Sequence, residues 1–245
     1  MSWDKQMFKD SPLSIAQGEV NGHSGEHKFG AVPSMSRNDT GTIWDVDDTT
    51  YPWSSWTTSG TLSIPAVTGA DNGKTVTIVG LDADYNAQTE AVVVSSSGSV
   101  TTTSTWRRVY RAYVSTGATN EGTVDIQKSG VTVLRINADL GQTLMAIYTV
   151  PKGYTAYLTH VVSTCQAGAD ATIYMFRRFQ GQDAFRIAHT FEVSGTGGTY
   201  DHQFGIPLKL PELTDIDFQA VVRSNNARIT SAFDMILVED GYEHG

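Results

Sequence analysis

The sequence predicts an all-β protein: two antiparallel β-sandwich or jelly-roll-like domains preceded by an extended N-terminal arm. Three observations lead there. Short runs alternate apolar and polar residues, as in Thr75-Val76-Thr77-Ile78-Val79 and Asp215-Ile216-Asp217-Phe218-Gln219-Ala220. A period of two lines one face of a strand with apolar side chains. Turn clusters such as Asp71-Asn72-Gly73, Gly195-Thr196-Gly197-Gly198 and Ser224-Asn225-Asn226 separate these runs, and Asn-Gly tolerates the positive φ that tight hairpins need. No window sustains a period of 3.6 over three helical turns.

The elements follow in chain order. Residues 1–40 are rich in glycine and polar residues and keep neither period, so this segment is expected to be an arm lying on a neighbouring subunit. Strand-like runs begin near Gly41 and recur at 42–46, 60–65, 75–79, 91–94, 108–114, 122–126 and 131–136. A second series covers 144–150, 154–164, 171–179, 184–193, 198–206, 215–222 and 227–238. Val150-Pro151-Lys152-Gly153-Tyr154 is a strand end followed by a turn, because proline cannot donate to a ladder and glycine accepts the turn backbone. The joint is placed near residues 137–141, giving a first sandwich over 41–139 and a second over 140–245; the alternative is a single large jelly-roll.

Composition narrows the function classes. Hydrophobic residues make up 40% and charged residues 18% of 245, enough to build a sizeable core. A net charge of -9 argues against binding nucleic acid or an anionic membrane, both of which need basic surfaces. One cysteine, Cys165, excludes an intramolecular disulfide framework and reads as a buried, inert thiol. No run is long and apolar enough for a transmembrane helix, and the first residues lack the apolar core of a signal peptide.

No catalytic constellation stands out. The sequence lacks G-x-S-x-G, P-loop, H-E-x-x-H and paired C-x-x-C motifs. His23 and His27 are four apart, but their glycine-rich surroundings argue against the helix that would join them on a metal. Asp45-Val46-Asp47-Asp48 has the carboxylate density of a calcium loop without the full EF-hand pattern, and reads as a polar turn. The alternating pairs Asp82/Asp84 and Asp215/Asp217 read as cover for solvated sheet faces. The chain is therefore expected not to be an enzyme and to need no cofactor or metal.

Two features suggest contact surfaces. Trp44, Tyr51, Trp53 and Trp56 cluster within thirteen residues, and Arg107, Arg108, Arg111, Arg177 and Arg178 sit among tyrosines and phenylalanines. Aromatic and arginine side chains dominate protein–protein hot spots. The tryptophan cluster is equally the composition of a platform that stacks on sugar rings, or of a buried plug.

Several stretches resemble a family of two-domain, β-rich virion structural proteins of tailed bacteriophages, mainly those of marine bacteria. They are His27-Lys28-Phe29-Gly30, residues 39–45, residues 79–86 with Gln88-Thr89-Glu90, Arg108-Val109-Tyr110-Arg111, residues 142–158, residues 206–211 and residues 232–238. The resemblance implies a structural role in a virion, assembled in the host cytoplasm. It leaves open a capsid decoration or cement protein, a head–tail accessory subunit, or a tail subunit. Capsid, portal, connector or tail proteins would be its partners, and a homotrimer or homohexamer is expected. The alternative is a host-surface glycan-binding module with Trp44, Trp53 and Trp56 as its platform.

Overall fold

The computed structural model describes residues 12–46, 48–117, 119–194 and 198–242. A single turn of helix, α1 (Pro12–Ala16), precedes β1 (His23–Met35) and β2 (Thr40–Thr42). Seven strands follow: β3 (Ser63–Ile64), β4 (Thr75–Leu81), β5 (Ala87–Val93), β6 (Val100–Thr101), β7 (Arg108–Val114), β8 (Val124–Lys128) and β9 (Val131–Ile136). The chain ends with β10 (Ile147–Thr149), β11 (Tyr154–Cys165), β12 (Ala171–Arg178), β13 (Arg186–Val193), β14 (Thr199–Leu210), β15 (Asp215–Val222) and β16 (Ala227–Glu239).

The fold is all-β and antiparallel, and its pairing is nested. β1 pairs with β16, β2 with β15, β11 with β14, and β12 with β13. These four pairs make one long hairpin. Pairing of β16 with β11 and of β15 with β12 then rolls it into two sheets. One sheet runs β1-β16-β11-β14; the other runs β10-β15-β12-β13, with β2 also on β15. This is a jelly-roll-like sandwich. Its inner faces meet in a continuous core, where the rings of Phe218 and Phe233 stack across the sheets at 4.9 Å.

β3–β9 are inserted into this roll between β2 and β10. They form two further sheets, β6-β3-β8-β9 and β5-β4-β7. The two ends of the insertion meet on one strand. β2 pairs with residues 219–221 of β15 and β10 with residues 215–217. The Ala146 amide donates to the Ile43 carbonyl at 2.9 Å where they pass. Insertions are tolerated where their ends lie close together.

Two expectations are corrected. Residues 23–35 are not an arm on a neighbour: they pair in register with the chain's own last strand, from His23↔Val238 to Val32↔Ile229. Their partner lies some two hundred residues away, so no local period announces it. Gly30 of this strand has a packing reason, since a Cβ there would overlap the Ala146 amide and the Ile43 carbonyl. Residues 1–11 of the expected arm lie outside the described residues. The domain order is also nested and not serial, because β1 and β2 belong to the sandwich that the rest of the chain closes after the insertion.

Phe233 is buried between the two sheets. Phe233→Ala should lower stability by about 3–5 kcal/mol, as expected for a large ring removed from a closed core; urea unfolding followed by intrinsic fluorescence measures it.

Candidate functional site

The residues with the most chemical potential converge where the insertion meets the roll. Their centre is Asp215, the first residue of β15, which is only 2% exposed. Arg108 at the start of β7 grips it with both prongs, Nε on Oδ1 at 2.8 Å and Nη2 on Oδ2 at 3.0 Å. Arg178 at the end of β12 approaches from the roll, donating to Oδ2 from Nη2 at 2.6 Å and Nε at 3.1 Å. Thr149 of β10 adds a hydroxyl donor at 2.7 Å. A carboxylate has roughly four lone-pair sites, so these donors saturate Asp215.

Asp217 lies two residues on and is fully buried. It accepts from Thr42 Oγ1 at 2.9 Å, Trp53 Nε1 at 2.8 Å and Gln219 Nε2 at 2.8 Å. Burial pushes its carboxyl up; the three donors oppose that shift and the charge of Asp215 adds to it. Burial pulls Arg108 down, but the hydrogen bonds and charge of Asp215 more than reverse this and hold the guanidinium charged.

The linker leaving β2 supplies the aromatic walls. A short 3-10 turn (Trp53–Trp56) places both of its tryptophans inside. The rings form a chain, with Trp44 5.1 Å from Tyr51, Tyr51 4.8 Å from Trp53, and Trp53 5.2 Å from Phe185. Arg108 and Arg178 lie over Trp53 at 5.7 and 5.6 Å, and Arg178 also covers Phe185 at 4.6 Å. Every indole nitrogen of the cluster is bonded: Trp44 to the Thr49 carbonyl, Trp53 to Asp217, and Trp56 to the Tyr51 hydroxyl. Lys128 of β8 lies over the Trp56 ring at 4.6 Å and donates to the Ser55 and Thr58 carbonyls.

The expected contact residues thus separate into groups. Tyr51, Trp53, Trp56, Arg108 and Arg178 join one network, with Trp44 adjoining. Arg107 flanks it, bonded to the Tyr85 hydroxyl at 3.0 Å and to the Thr57 carbonyl at 2.6 Å. Arg111 is exposed over Tyr113, and Arg177 lies over Phe179 at 4.8 Å. The glycan platform is ruled out by burial: Trp44, Trp53 and Trp56 are 2%, 9% and 1% exposed, so no sugar ring reaches their faces. Asp215 and Asp217, expected on a solvated face, are instead the buried centre, because β15 is covered on both sides.

A second tie joins the same two parts. Lys28 of β1 is buried, donates to the Tyr110 carbonyl of β7 and lies over the Tyr110 ring at 5.3 Å. Burial pulls its amine down to about 7, opposed by Glu26 and aided by Arg111.

The other candidates resolve as structural. Asp48 accepts from the Ser36 amide and hydroxyl at 2.7 Å each, while Asp45 accepts from the Leu144 amide and Asn137, so their carboxylates do not converge. Asp47 lies outside the described residues. His23 bonds to the Asn21 carbonyl and His27 to Asp234, so the pair does not converge either. Asp82 accepts from the amides of Asp84 and Asn86 within its own turn. Cys165 is buried, and burial raises its thiol pKa. Among the described residues, no group of three histidine, cysteine or acidic side chains is placed to hold a metal ion, and no helix is long and apolar enough to cross a membrane.

No family model matches the chain, and no curated protein matches it. Among solved structures it is similar to one from the naturally occurring empty particles of cowpea mosaic virus, at 9% identity and a TM-score of 0.24, covering 77% of this chain and 86% of that one. It is also similar to a structure of infectious bursal disease virus strain Gt, at 11% identity and a TM-score of 0.23, covering 91% and 74%. The VP2 subviral particle of infectious bursal disease virus matches at 12% identity and a TM-score of 0.20, covering 90% and 73%. At such scores the likeness assigns no role.

Two outcomes follow from this geometry. Asp215→Asn should cost about 3–5 kcal/mol by denaturant unfolding, because it leaves two guanidinium groups without their counter-charge. Exposed Arg111→Ala should change stability by less than about 0.5 kcal/mol. Asp45 gives a pH signature. Burial pushes its carboxyl from 3.8 up to about 8, against the Leu144 amide and the charge of Arg135. A folded-state pKa above the unfolded one gives stabilisation that is complete below 3.8 and is lost as pH rises through 8. Asp45→Asn should therefore flatten the decline in stability over that window, read from thermal unfolding across pH.

Proposed function

We propose that this chain is a non-enzymatic structural subunit of a tailed-phage virion, acting through oligomeric protein–protein contacts. Within the particle it would be a capsid decoration or cement protein, or a head–tail or tail accessory subunit. The observation that carries this reading is the use to which the chain puts its reactive residues. Arg108, Arg178, Asp215, Asp217 and Trp53 direct their polar atoms at one another in a buried junction, leaving neither Asp215 nor Asp217 free for a substrate. The result is a roll and an insertion fastened together at several points, which suits a subunit that must hold its shape in a shell or tail.

The nested strand order supports the same reading, since jelly rolls are a recurrent architecture of viral capsid domains. So does the resemblance of residues 27–30, 79–90 and 142–158 to virion proteins of tailed phages. Symmetric association as a trimer or hexamer, partners among capsid, portal, connector or tail proteins, and assembly in the host cytoplasm complete the proposal.

The test has two arms. Peptides of this chain should be present at stoichiometric level in density-purified virions, read by quantitative mass spectrometry; their absence contradicts the virion role. The isolated protein should scatter light as three or six chains; a monodisperse monomer at the highest soluble concentration contradicts self-association.

A further inference from the structure

A second polar cluster takes no part in the junction. It lies on the face of the β1-β16-β11-β14 sheet turned away from the core, in an open groove of about 530 Å³ whose lining includes Ile15 and Ala16 of α1. Four side chains run in a line, one from each strand, and His27, Asp234 and His160 of them line the groove. His27 of β1 bonds through Nδ1 to Asp234 Oδ1 of β16. Asp234 Oδ2 is 3.1 Å from His160 Nδ1 of β11. His160 Nε2 is 2.7 Å from Asp201 Oδ1 of β14.

A bulge aims the central histidine. The register of β11 slips between Leu158 and His160 against both β14 and β16. Leu158 and Val161 are both buried, so plain alternation from Leu158 would turn residue 160 inward. The extra residue, Thr159, turns His160 out, and its hydroxyl fixes the bulge by donating to the Asp234 carbonyl at 3.0 Å. Bulges commonly serve to re-aim one side chain. Across the same slip, β14 jumps from Gln203 to Leu208, and Ile206 within that span is 88% exposed.

We propose that His160 is a proton-operated clamp that fastens edge strand β14 to its sheet. Both ring nitrogens face carboxylate oxygens, and carboxylates only accept. A neutral imidazole donates from one nitrogen alone, so only the imidazolium satisfies both partners. Loss of the proton sets a nitrogen lone pair against a carboxylate and releases one of the two. The link to Asp201 is the cluster's hold on β14, and the exposed residues 205–207 belong to that strand.

The groups that act on His160 are Asp201 of β14 and Asp234 of β16, with His27 of β1 on the far side of Asp234 and Glu26 of β1 lining the same groove. α1 brings none. His202 of β14 is 5.5 Å from His189, ring to ring, on β13. The Asp201 hydrogen bond, opposed by burial and reinforced by Asp234, holds the His160 pKa above 6.5. The folded-state value is raised, so the clamp is complete below 6.5 and is lost as pH rises through the raised value.

The test is a titration of the histidine rings by NMR, combined with amide exchange of residues 199–203, corrected for intrinsic exchange rates and referenced to β16. In the wild type, His160 should titrate above 6.5, and protection of 199–203 relative to β16 should fall by roughly threefold as it does so, the worth of one partly exposed ion pair. In His160→Gln the pH dependence should vanish. In Asp201→Asn, which keeps the shape, the His160 titration should move down and the dependence should again vanish. A His160 titration at or below 6.5, or protection of 199–203 that ignores pH in the wild type, overturns the clamp.

Discussion

The structure turns on the burial of one carboxylate. Asp215 opens the strand that lies at the middle of its sheet, and it receives donors from both parts of the chain. Taking a carboxylate out of water costs several kcal/mol, which only a full set of donors offsets. Arg108 can supply its two prongs only if β7 of the insertion stands against β15. Arg178 can supply its own only if β12 pairs beside β15 in the observed register, where Arg178 faces Asp215. The carboxylate thus specifies how the parts sit. A hydrophobic cluster of equal volume would hold them about as firmly.

The surrounding ties share this logic. The linker that carries the chain out of the roll is pinned by Trp53 on Asp217 and by Trp56 on Tyr51. Asp45, further up the linker, receives the Leu144 amide from the segment that returns to the roll. Lys28 reaches from the first strand to β7. Apart from Trp56 on Tyr51, which stiffens the linker itself, each tie joins residues far apart in sequence, and each places a polar group where water is excluded. An unsatisfied partner at any of them costs the full desolvation penalty, so the arrangement is held by many small constraints in addition to the central one. The His27–Asp234–His160–Asp201 line differs because it faces solvent, where a proton can come and go.

The sequence is legible where a strand has one dry face and one wet face. β8, β11 and β16 announce themselves in this way. β1 does not, because its buried positions include Lys28 and Gly30 and its partner is the last strand of the chain. β2 and β10 are three residues each, too short to show any period. Nesting is invisible for the same reason: periodicity reports faces and says nothing of pairing. At the candidate site, the tryptophans and arginines stand out in the sequence, but whether an aromatic cluster faces solvent depends on what folds over it. Asp215 and Asp217 were the signal missed. Two acids in a strand otherwise as apolar as Phe218, Ala220, Val221 and Val222 call for buried partners, and two arginine pairs were available to supply them. The histidine line could not be read at all, since it takes one residue from each of four strands.

The most direct test of this account is a double-mutant cycle on Arg108 and Asp215, with Arg108→Met and Asp215→Asn measured singly and together by denaturant unfolding. If the buried pair sets how the insertion is seated on the roll, the two substitutions should be strongly non-additive, with a coupling of about 2–3 kcal/mol. Effects that add to within about 0.5 kcal/mol would mean that the pair is incidental to the junction.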